Sequence, residues 1–212
     1  MIYSKSYKLV ELVLLFILLP LSFLLDYDFK VKAGLVILGF IYILTILFKF
    51  TDASFKIKSS LNWSKFFKVT AIKFIVITLI TTCYVLYIDS SLLFYVPLNN
   101  PKLFVVILGV YTFLSVWPQE IIYRSFFYKR YQDLCSSKIV FMVLNAVIFS
   151  LAHVFLKNIL VLILTFIGGL LFIYTYTKTK STTLVSIEHA LYGNWLFTVG
   201  MGQMLAFPGM EA

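Results

Sequence analysis

The chain has 212 residues, of which 61% are hydrophobic and only 13% charged, with a formal net charge of +9. Soluble domains run at about 45–50% apolar and about 25% charged, so the composition excludes an ordinary soluble domain and implies a polytopic membrane protein. In that setting the positive charge points to cytoplasmic loops and not to nucleic acid. The two cysteines, Cys83 and Cys135, have no metal-ligand spacing and form no disulfide framework.

The first apolar run, about Leu9 to Leu25, is too long for a signal-peptide core. Asp26-Tyr27-Asp28 stands where a small-residue cleavage site would come, so the run reads as a retained span. Glu11, near its start, is expected to reach the interface. A second span runs from about Ala33 to Phe48. From Lys49 to Lys68 basic residues are interleaved with Phe55, Trp63, Phe66 and Phe67. That is the pattern of a cytoplasmic loop or amphipathic helix lying on anionic lipid headgroups. The third span, about Val69 to Ile88, carries Lys73 one turn in, placed to snorkel. Turn-forming residues from Asp89 to Pro101 lead to a fourth span that begins near Leu103. The fifth covers about Ile139 to Leu156, the sixth Ile159 to about Tyr176, and the seventh about Leu184 to Leu205. Each is near the ~20 residues that a helix needs to cross ~30 Å of hydrocarbon.

The expected fold is therefore all-α, a transmembrane bundle of about seven spans with the N-terminus cytoplasmic. That threading places 13 Lys and Arg residues inside and 4 outside (Lys30, Lys32, Lys102 and Lys157), as the positive-inside rule requires. Residues 1–101 hold three spans and the basic loop. Residues 102–212 hold the polar groups that an apolar chain has least reason to keep.

The first of these lie in Trp117-Pro118-Gln119-Glu120-Ile121-Ile122-Tyr123-Arg124. Glu120 and Arg124 are four residues apart, on one face of a helix. Ionisable groups are costly at bilayer depth, and a retained pair marks a candidate site. Both histidines of the chain fall in later spans: His153 after Phe149, and His189 beside Glu188 and before Asn194. Two histidines and a glutamate on three helices are the set that holds a catalytic zinc with one open position, or an acid–base set acting on water. If Lys129 and Arg130 mark the membrane boundary, Glu120 lies ~13 Å deep, near the depth of His153. Gly168-Gly169, Gly200 and Gly202 suit close helix approach, and Asn145 suits an interhelical hydrogen bond. Most of the numerous Phe and Tyr residues are expected to face lipid or form interface belts.

From Trp117 to Gly202 the chain resembles the CPBP intramembrane proteases, the CAAX-protease and bacteriocin-processing group. That family is marked by Glu-Glu-x-x-x-Arg, Phe-x-x-x-His and His-x-x-x-Asn in this order. Gln119 to Arg124 matches the first motif except at its leading position, and Phe149 to His153 matches the second. His189 opens the third, with Gly193 where Asn is expected and Asn194 one residue late. The resemblance implies an intramembrane endopeptidase acting on a membrane-associated protein or peptide, seated in lipid and expected in a bacterial cytoplasmic membrane. It implies Glu120, His153, His189 and Asn194 as catalytic residues, with Arg124, Gln119 and Glu188 supporting. A divalent metal, zinc, is expected on His153, His189 and Glu120.

Gln119 cannot act as a base, so either Glu120 or Glu188 takes that role, or the chain is an inactive relative that binds peptide as a scaffold or immunity protein. A shift from position 119 to 120 is ~100° around a helix and calls for rotation or unwinding, which Pro118 permits. Gly193 would allow a π-bulge that returns Asn194 to the face of His189.

Overall fold

A computed structural model describes residues 2–51, 57 and 61–205. Phe55, Lys56 and Lys58 of the expected surface loop, and the tail beyond Leu205, lie outside the described residues. The described chain is helical almost throughout. We number the long helices α1 (5–22), α2 (Phe29–Phe50), α3 (Trp63–Ile88), α4 (Pro101–Leu134), α5 (Lys138–Leu151), α6 (Ile159–Thr179) and α7 (Thr182–Val199). Short polar side chains set where they begin. Ser4, Asp28, Asn62, Asn100, Ser137 and Ser181 each accept a hydrogen bond from a backbone N–H of the first turn. Such a cap satisfies one of the four donors that a helix start leaves open. Pro101 opens α4 at the position where a missing N–H costs nothing. Gly200 ends α7 in the left-handed region, φ 107°, with the Leu92 carbonyl against the place where a Cβ would sit.

Among the described residues five helices are long and apolar enough to cross a membrane: α2, α3, α4, α5 extended to Leu156, and α6. The protein is an integral membrane protein. Expected spans one and seven, α1 and α7, do not meet that measure. Helix α1 carries three charged residues, Lys5, Lys8 and Glu11, and Glu188, His189 and Asn194 lower the hydropathy of α7.

Two compact units divide the chain without following its order. The first comprises Met1–Phe55 and Gln119–Lys178, the second Lys56–Pro118 and Thr179–Ala212. In the first unit, Phe16 of α1 is the hub of an aromatic core. Its ring meets Tyr123, Phe127 and Tyr131 edge-on at 5.7, 5.2 and 5.8 Å between centroids, and Phe126 stacks on it at 6.2 Å. These four rings pack inward. Edge-to-face pairs of this kind add about 0.5–1.5 kcal/mol each beyond area burial.

Glu11 departs from expectation in the same unit. It is 5% exposed, held inside the protein by partners on other helices. Arg130 Nε donates to its Oε2 at 2.7 Å and Tyr131 donates to the same oxygen at 3.0 Å. The Tyr42 hydroxyl and Arg130 Nη2 donate to Oε1. In apolar surroundings a carboxylate with every lone pair engaged is far cheaper than an unpaired one. Gly169 behaves as expected: a Cβ there would lie 2.9 Å from the Ala146 backbone, so α5 and α6 can touch.

In the second unit, Lys73 of α3 meets Glu188 and Thr81 meets Trp195, so α3 and α7 run the same way. Lys73, expected to snorkel, turns inward, and its ammonium lies 2.8 Å from Glu188 Oε1. Ile107 packs with Phe197 while the later Tyr111 reaches His189, so α4 runs against α7. These directions suit a chain that threads up and down.

Candidate active site

The first unit holds Glu120, Arg124, Asn145, Phe149 and His153. Pro118 does not break α4. Instead the helix carries two π-turns, Tyr111–Val116 and Ile121–Phe126, with Trp117–Glu120 between them. Each π-turn takes in one residue more than an α-turn and resets the face presented by the residues C-terminal to it. One widened turn thus lies ahead of Glu120 and the other begins directly after it. Glu120 is fully buried and Gln119 half-buried.

Glu120 Oε2 lies 3.2 Å from Arg124 Nε, with both side chains inaccessible to solvent. Arg124 Nη1 donates to Asn145 Oδ1 at 3.1 Å. Asn145 Nδ2 in turn donates to the Tyr123 carbonyl at 2.7 Å, inside the second π-turn. Asn145 is thus interhelical glue, as read from sequence. The guanidinium also sits 4.6 Å over the Phe149 ring and 5.6 Å from that of Phe172. A desolvated cation–π contact is worth about 2 kcal/mol or more. Phe149 therefore faces two ways, toward Arg124 and toward His153, whose ring lies 5.0 Å away. The second motif's phenylalanine ties its histidine to the first motif's arginine. Sequence spacing alone gave no sign of this, because it depends on how α5 packs on α4.

His153 lies just beyond the C-terminus of α5, not within it, at φ −102°, ψ 4°. This is the sparsely populated bridge region, where many active-site residues sit. Its Nδ1 bonds the Phe149 carbonyl at 2.8 Å. A carbonyl only accepts, so Nδ1 carries the proton and Nε2 is the basic nitrogen.

The second unit holds His189, Glu188, Asn194 and two residues that sequence reading passed over, Tyr111 and Thr112. His189 is buried, and the Tyr111 ring meets it edge-on at 6.0 Å and 83°. Helix α7 is regular α throughout, so the bulge expected at Gly193 is absent. Asn194 stays off the His189 face, and its Nδ2 donates to Thr112 Oγ1 at 3.0 Å. Glu188 is fully buried; its Oε1 receives Lys73 and the Tyr192 hydroxyl, each at 2.8 Å.

The expected zinc ligands divide two and one between the units. His153 has the outer-shell geometry of a metal-binding histidine, its Nδ1 donating to a carbonyl. Glu120 already faces a guanidinium. Among the described residues no three His, Cys, Asp or Glu side chains form a cluster that could hold a metal ion.

Comparison with known proteins gives a family match. A family model described as Type II CAAX prenyl endopeptidase Rce1-like covers residues 101–196. No curated protein and no solved structure matches. The matched segment opens with α4 and closes two residues after Asn194, taking in all three motifs and both histidines. Over residues 101–196 the chain is therefore similar to the type II CAAX prenyl endopeptidase family, the group that its motifs resemble.

Proposed function

We propose that the protein hydrolyses a peptide bond in a membrane-associated protein or peptide, with Glu120 as the base. The carrying observation is the buried Glu120–Arg124 pair within the matched segment. A chain this apolar keeps a carboxylate at span depth only where something compensates its charge. Arg124, itself held by Asn145 and Phe149, supplies that compensation and fixes the helix face. In the proposed reaction the water oxygen attacks the carbonyl carbon. Its proton passes to Glu120 and then to the leaving amine as the C–N bond breaks. His153, through Nε2, and His189 orient the water and the carbonyl. Glu188 is engaged by Lys73 and Tyr192, which supports a structural role and leaves Glu120 as the base. A divalent zinc ion would, if bound, lower the pKa of a bound water.

The family description points to prenylated C-terminal peptides as the substrate class, and a bacterial cytoplasmic membrane is the proposed setting. The test is a farnesylated CAAX reporter peptide with a fluorophore, offered to purified protein in liposomes. Wild type is expected to cleave it. Glu120→Ala, His153→Ala and His189→Ala should each lose at least about 100-fold in rate. Full activity in Glu120→Ala would sink the assignment. Activity that survives chelators in metal-free protein would remove zinc from the reading. The half-buried Gln119 favours a second reading, a peptide-binding scaffold without activity, which predicts reporter binding without cleavage.

A further inference from the structure

We propose that the Tyr111 hydroxyl is the hydrogen-bond donor to the reacting carbonyl oxygen, occupying the place where the third motif would put an asparagine. The inference rests on the peptidase reading of the site.

His189, Gly193 and Phe197 are spaced four apart on α7 and form one stripe. The Tyr111 ring lies along it. It meets His189 edge-on at 6.0 Å and Phe197 at 4.9 Å and 72°. Its phenol end fills the gap between them: a Cβ at Gly193 would collide with the Tyr111 hydroxyl and with ring carbons Cε1 and Cζ. Helical side chains lean toward the N-terminus, so any side chain at 193 would lie over the turn that carries His189. The phenol oxygen therefore stands where an amide from position 193 would stand.

The obvious alternative donor is turned elsewhere. Asn194 is five residues from His189, ~140° around a regular helix, and its amide nitrogen is committed to Thr112. Tyrosine hydroxyls are competent oxyanion donors. Aromatic neighbours on two sides hold this one in place before substrate arrives. Tyr111 opens a π-turn, where consecutive residues spread over a wider arc. That lets Tyr111 and Thr112 both face α7.

The test uses the full chain in liposomes with the farnesylated reporter. Tyr111→Phe removes one oxygen and keeps the packing. Its kcat is expected to fall about 100- to 1,000-fold, with KM and thermal stability unchanged. Tyr87→Phe, on an exposed tyrosine of α3, serves as the control without effect. The exchange pair Tyr111→Ala/Gly193→Asn returns an amide to the vacated place. It is expected to recover at least about tenfold in kcat over Tyr111→Ala. An undiminished kcat in Tyr111→Phe, a loss carried only by KM, or no recovery in the exchange pair would each overturn the proposal while leaving the peptidase reading intact. A wild-type protein that does not cleave the reporter overturns both.

Discussion

Arg124 shows how much of the site hangs on single side chains. Its guanidinium is fully buried and contacts Glu120, Asn145 and two phenylalanine rings. Lysine would keep the charge but lose the flat, forked donor geometry that reaches all of them. Asn145→Ala removes two hydrogen bonds, leaving Arg124 Nη1 without that acceptor and the Tyr123 carbonyl without that donor, a cost of about 1–3 kcal/mol for each buried group left unsatisfied. Phe149→Leu keeps an apolar filler and gives up the cation–π face. Both variants are expected to unfold earlier than wild type in a thermal scan in detergent. Phe149→Leu should also slow reporter cleavage, because the same ring positions His153. An unshifted transition in Asn145→Ala would show that the Arg124 cluster is not a stability element. At this scale the sequence was informative wherever partners share a helix. Glu120 and Arg124 were legible from their spacing, and Asn145 from its polarity in an apolar run. Phe149, Tyr111 and Thr112 look like ordinary filler until another helix is set against them.

The helices were legible as existing, from the length of each apolar run; the Ser, Asn and Asp caps that start them were not read. Their internal irregularities were not. Pro118 drew attention to the right part of α4, yet the unwinding lies on both sides of it, at Tyr111–Val116 and Ile121–Phe126. A π-turn has no residue signature of its own. Here the two are matched to tertiary contacts, Tyr111 over Gly193 and Asn145 on the Tyr123 carbonyl. Deleting Leu114, an exposed residue inside the first π-turn, should close that turn to an α-turn and shift the face presented by the residues after it by ~100°. The expected outcome is an inserted protein of unchanged helix content by circular dichroism that no longer cleaves the reporter. Retained cleavage would mean that the widened turn plays no part in setting the Glu120 face.

Across the whole molecule, residues outside the matched segment supply a charge to each unit. Glu11 meets Arg130 in the first, and Lys73 meets Glu188 in the second. Reading the chain span by span assigned Glu11 and Lys73 to the interface, because nothing local reveals a partner more than a hundred residues away. Removing one member of a buried pair costs about 3–5 kcal/mol, whereas removing both can be nearly neutral. Lys73→Met and Glu188→Gln are therefore each expected to lower thermal stability markedly, and the double variant to recover most of the loss. Additive effects in that cycle would show that the pair is not coupled.

The same pairing bears on how the protein is made. Lys73 and Glu188 are 115 residues apart, and Glu11 and Arg130 are 119 apart. At about 5–20 residues per second of synthesis, Lys73 waits roughly 6 to 23 s in the bilayer before its carboxylate emerges. During that interval its long side chain can reach the headgroups, so the interfacial position read from sequence describes the nascent chain and the buried pair the finished one. Glu11 waits similarly, and its partner arrives first. The first unit's ion pair can thus close while α7 is still unmade, giving assembly in the membrane a built-in order.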